Sequence, residues 1–96
     1  MRTVARESVT LHGRTITLWS TANPGSQSSL HAGIRGGSPG DMVWLRTQYS
    51  PNRINTRSVP SGATGAATPS LRPDTYYAAC GQAYNRNDIK CTGYWL

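Results

Sequence analysis

"YYAACGQAYNRNDIKC", residues 76–91, holds both cysteines of the chain and decides how the rest is read. A tetrahedral zinc site draws on about four Cys or His ligands, usually in close pairs. Only His12 and His31 are left to join Cys80 and Cys91, and they are distant in sequence and unpaired. A redox pair has the C-x-x-C spacing, whereas residues 81–90 separate these two cysteines. A disulfide or two free thiols remain. The flanks "TYYAAC" and "IKCTGYW" are rich in aromatic and β-branched residues, as strands are. "NRND", residues 85–88, is a cluster of turn formers. The pair therefore reads as a disulfide that ties two adjacent antiparallel strands near a loop. Closing so short a loop is worth about 3 kcal/mol in the chain-entropy model. Disulfides persist in oxidising compartments, so the expectation extends to a secreted protein. The alternative is a pair of buried free thiols in a cytosolic one.

Working outward from the cysteines, the chain shows strand patterns and no helical period. "TVARESVTL", residues 3–11, and "RTITLWS", residues 14–20, flank the turn "HG" and read as a hairpin. In the second run Ile16 and Leu18 share one face, with Thr15, Thr17 and Trp19 on the other. "NPGSQSS", residues 23–29, reads as a loop, and "LHAGI" as a short strand closed by "RGGSPG". "DMVWLRTQY", residues 41–49, is apolar on both faces from Met42 to Leu45, which places it inside a sheet. "RINTRSV", residues 53–59, is expected at an edge, followed by a long Gly/Pro/Ser loop over residues 60–73. About seven short strands and no helix give an all-β fold, a small antiparallel β-sandwich with a small β-barrel as the alternative. A chain of 96 residues makes one domain, 1–96, with one modest core.

Composition narrows the function classes. Hydrophobic residues make up 36% and charged residues 15%, which excludes a charged disordered tail. No stretch approaches the roughly 20 apolar residues of a membrane-spanning helix. No charged-then-apolar leader follows Met1, so an exported protein is expected to have lost its signal peptide. Nine arginines and a single lysine against four carboxylates give a net charge of +6 and a pI near 10.0. Such a chain attracts anionic partners: acidic wall polymers and polysaccharides, an acidic protein or, least expected, nucleic acid.

The order "RTITL", "SPGDMVWL", "AACG" and "IKCT" resembles a small β-domain of secreted actinobacterial proteins. That domain precedes the catalytic domain of some family 76 glycoside hydrolases, the α-mannanase family. The resemblance covers most of the chain in order. It implies the fold and an extracellular setting, and no activity, because the catalytic domain has no counterpart here. After the VWL strand the family runs into an Asp-Gly-Gly-x-Thr-Trp turn, where this chain has "QYSPNR", residues 48–53.

The candidate chemistry is sparse. A glycosidase needs two positioned carboxylates. Of the four present, Asp41, Asp74 and Asp88 stand at turn positions and Glu7 on an early strand. A ribonuclease-like site would draw on Glu7, His12 and His31 with arginines. No G-x-S-x-G, phosphate loop or EF-hand occurs. The expectation is therefore no enzyme, no metal and no cofactor, with a ribonuclease-like toxin as the remote alternative. Candidate binding residues are Arg46, Tyr49, Arg53 and Arg57, an arginine–tyrosine cluster suited to a partner surface, and Trp19, on the polar face of its strand. The expected function is a secreted non-catalytic binding module for a glycan or a partner protein. The alternatives are an adaptor or inhibitor within an extracellular assembly, using strand 53–59 or a projecting 60–73 loop, and a small cationic toxin.

Overall fold

The computed structural model describes residues 2–22, 25 and 28–96. Most of the loop expected at residues 23–29, and Met1, lie outside the described residues. Eight strands form two four-stranded antiparallel sheets with no helix among the described residues, which is the expected β-sandwich.

The first sheet begins with the hairpin of β1 (Arg2–Leu11) and β2 (Arg14–Ala22). His12 and Gly13 both have positive φ, 47° and 81°. That is the backbone of a two-residue hairpin turn matching the twist of its strands. β3 (Ser29–Arg35) pairs with β2, and the two-residue β6 (Ala66–Ala67) completes the order β1-β2-β3-β6. The second sheet has the order β5-β4-β7-β8, from β4 (Met42–Thr47), β5 (Ile54–Ser58), β7 (Tyr77–Gln82) and β8 (Ile89–Cys91). β4 is interior and β5 an edge, as their sequences imply. Cys80 and Cys91 are direct cross-strand partners in β7 and β8 and form the expected disulfide.

Alternation sorts the side chains. Leu11, Ile16, Leu18, Leu30, Ala32 and Ile34 of the first sheet meet Val43, Leu45, Tyr77 and Ala79 of the second. Val59, just past β5, closes that core. Trp44 is buried at 2% exposure, yet it points away from the core. Its β4 neighbours Val43 and Leu45 face inward, and Trp44 lies opposite Cys80 on the outer side of the second sheet.

The 60–73 segment does not project. It crosses from β5 to the first sheet and lies along the edge of β3. Backbone bonds from Thr68 to Ala32, from Gly37 to Thr64 and reciprocally between Leu30 and Leu71 hold it there. Its Ala66–Ala67 pair supplies β6. The exposed backbone edge of β3 needs partners, and this segment provides them.

Candidate functional site

Each of the four carboxylates has a hydrogen-bond partner within the fold, Asp41 buried and Asp74 and Asp88 at the surface. Asp41 is fully buried and accepts from Arg14 Nε at 2.8 Å, from the Ser38 amide at 2.8 Å and from the Tyr84 amide at 2.7 Å. Burial pushes its carboxyl up, but these hydrogen bonds and the guanidinium together outweigh burial and hold it below its ordinary value. Glu7 points inward from β1 and accepts from the Gly93 amide at 2.6 Å and the Trp95 indole at 3.2 Å. Asp74 accepts from the Tyr77 hydroxyl at 2.7 Å, and that bond raises the tyrosine's pKa. Asp88 meets His12 Nε2 at 2.7 Å. The three groups of a ribonuclease-like set are thus apart. Glu7 faces the core side of the first sheet, His31 its outer side, and His12 sits at the tip of the β1–β2 hairpin.

With the carboxylates engaged and Arg14 alone among the described arginines and lysine in an ion pair, the remaining cations carry the net positive charge of the surface. The expected arginine–tyrosine cluster is divided by role. Arg53 lies over the Trp44 ring at 3.9 Å from its centroid and donates to Gln82 Oε1 at 3.1 Å. Arg46 sits 5.9 Å over the Tyr94 ring and donates to its neighbour's carbonyl, Thr47 O. Among the described residues Arg57 makes only a local bond to Thr56 O, and Tyr49 is 79% exposed at the turn after β4. Two of the three arginines therefore cover aromatic rings, while Arg57 and Tyr49 are free to meet a partner.

Trp19 lies on the outer face of the first sheet, directly opposite His31. The two rings are nearly parallel, 11° apart in plane, with centroids separated by 6.3 Å. Burial lowers the His31 pKa, so its imidazole is neutral at neutral pH. The indole leans toward Gly33: a Cβ added there would lie 3.4 Å from Trp19 Nε1. Glycine at this position leaves a bare floor, and a cleft of about 370 Å³ opens above it, lined by Thr17, Trp19, Gly33, Arg35, Ala66 and Ala67. That volume is within the range of small-ligand sites. Thr17 is held by a 2.8 Å hydroxyl bond to Ser8, so this wall is fixed. A second cleft of about 290 Å³ lies between Arg2, Val4, Arg6, Ser20 and Ala22, beside the Arg6–Trp95 contact.

The Trp19 cleft takes residues that the sequence reading left aside: Gly33, Arg35 and the Ala66–Ala67 pair. Part of the signal was present. In "SLHAGIR" Leu30, Ala32 and Ile34 alternate with His31, Gly33 and Arg35, which places the latter three on one outer face. The partnership with Trp19 and with β6 depends on register across two loops and has no local signature.

No protein family, no curated protein and no solved structure matches this chain.

Proposed function

We propose that this chain is a secreted, non-catalytic binding module and that its ligand is a glycan. The observation that carries this reading is Trp19, partly exposed beside a glycine floor in an open cleft on a rigid sheet face. Sugar rings present C–H faces that pack on indoles, and a site on paired strands is held more firmly than one on a loop. The Cys80–Cys91 disulfide fits an oxidising compartment. Glu7 and Asp41 each accept from two or more groups of the fold, a structural use of these carboxylates that favours binding over hydrolysis. The likeness of the "SPGDMVWL" and "AACG…IKCT" segments to the α-mannanase-associated β-domain supports the same extracellular setting.

The test is a glycan array probed with the disulfide-intact protein and with Trp19→Ala. Binding by the first and its loss in the folded second are expected. A wild type that binds no glycan, or a Trp19→Ala protein that binds as well, would overturn the reading. A second reading, a protein-binding adaptor, is favoured by Tyr49, which stands 79% exposed at the turn after β4. Capture of a secreted partner that is lost on Tyr49→Ala with Arg57→Gln, and kept on Trp19→Ala, would select it.

A further inference from the structure

We infer that the Trp19 cleft takes a pyranose ring bearing a negative charge, with the ring on the indole and the anionic group on Arg35. This rests on the glycan reading above and names the ligand class of that same site. Arg35 is exposed on the cleft rim. No carboxylate is free to neutralise it: Glu7 is bonded to Gly93 and Trp95, Asp41 to Arg14, Asp74 to Tyr77 and Asp88 to His12. The Trp19 indole N–H likewise has no acceptor among the described residues, and its nitrogen lies beside the cleft floor at Gly33. Two unmatched donors and an apolar wall therefore converge on one cavity.

Spacing fits a single ring. Arg35 is two residues beyond Gly33 on the same face of β3, a step of about 7 Å. One hexopyranose lying on Gly33 against the indole presents an exocyclic carboxylate or ring sulfate near the guanidinium. Arginine holds either group through paired N–H donors. The neutral His31, outside the cleft, limits how the indole turns and adds no second cation. The shared chemistry is an anionic sugar, and the experiment separates its two sources.

Calorimetric titration of the disulfide-intact protein would use four probes: an oligogalacturonate, its methyl ester, a sulfated galactan oligomer and its desulfated form. Each pair keeps the skeleton and removes the charge. The expected result is that at least one anionic member binds about tenfold or more tightly than its neutral partner, and that added salt narrows the gap. The pair showing the gap identifies the source as carboxylate or sulfate. In Arg35→Gln the two members should bind alike. Gly33→Val, with a residue that suits a strand and a backbone without positive φ, should fill the cleft and remove binding of both members while circular dichroism stays unchanged. Equal affinity of charged and neutral members in the wild type would overturn the anionic assignment and leave the glycan reading standing. A gap that survives Arg35→Gln, or binding that survives Gly33→Val, would also overturn it. If none of the four probes binds while neutral glycans do on the array, the anionic assignment fails alone. Absence of binding to every sugar in both experiments fails both readings.

Discussion

The guanidinium of Arg53 lies 3.9 Å over the ring of Trp44, on the side of the second sheet that faces away from the core. This contact explains how a tryptophan on an outer face comes to be only 2% exposed. Arg53 is thus a covering residue whose head is fixed by Gln82. Arg53→Gln is expected to cost about 1 kcal/mol, lowering the melting temperature by about 4–8 °C in a domain of this size. Arg57→Gln, which loses only a local bond, should stay within about 0.5 kcal/mol of the wild type. Thermal unfolding of the two single variants checks this, and equal melting points would remove the structural role given to Arg53.

Asp41 joins three segments that are distant in sequence: Arg14 at the start of β2, the turn at Ser38 and the loop at Tyr84. Removing one member of a buried ion pair leaves the rest desolvated and unpaired, at a cost of about 3–5 kcal/mol. Asp41→Ala should therefore be among the more destabilising substitutions in the chain. Denaturant unfolding would show it, and a loss below about 1 kcal/mol would mean that solvent reaches the site.

Much of the fold was legible because its signals are local. The "HG" turn, the alternation of "RTITLWS", the unbroken "MVWL" and the strand-like flanks of Cys80 and Cys91 each report on a few neighbouring residues. The turn position of Asp41 is visible in "SPGD", and its carboxylate does bond the Ser38 amide. Its partnership with Arg14 and Tyr84 was hidden because it depends on how the two sheets meet. The same holds for the binding candidates. Trp19 could be put on an outer face from alternation alone, whereas Arg46 and Arg53 looked like free charges until the aromatic rings beneath them were visible. The 60–73 segment looked like a free loop because two alanines and a backbone-mediated pairing carry no compositional mark.

At Gly81 the two sheets are in close contact, and an added Cβ would lie 2.5 Å from Ile16 Cδ1. Gly81→Ala is expected to cost about 1–3 kcal/mol through overpacking. Ile16→Val removes that terminal methyl group, so the cost of Gly81→Ala should be smaller in the Ile16→Val background. A double-mutant cycle measures the difference. Additive effects would show that the clash is relieved by backbone movement instead.

The disulfide predicts a redox effect on stability. Reduction of Cys80–Cys91, or the double change to serine, should lower stability by about 3 kcal/mol. Chemical denaturation with and without reductant measures it. Mass spectrometry of the natively purified protein should find no alkylated cysteine before reduction and two after it.

Two groups give the protein an acid sensitivity with separable parts. The His31 pKa is lowered by burial from 6.5, so the unfolded chain binds the proton more readily. Its contribution to stability is complete above 6.5 and declines as pH falls below that value toward the folded pKa. The Asp41 carboxyl is pushed up by burial but held, on balance, below 3.8 by its hydrogen bonds and by Arg14. Its contribution is present above 3.8 and is lost as pH falls through the lower folded pKa. Stability should therefore decline in two steps on acidification, one below pH 6.5 from the partly exposed His31 and one below pH 3.8 from Asp41. Asp88 is also held low, burial being outweighed by bonds from its own backbone and His12, but it is solvent-exposed and adds little to the second step. His31→Gln should remove the upper step and leave the lower one. Asp41→Asn should lower stability at neutral pH and flatten the lower step. Urea midpoints measured from pH 8 to pH 2.5 on the three proteins decide the assignment: a lower step of undiminished size in Asp41→Asn would transfer it to the other carboxylates.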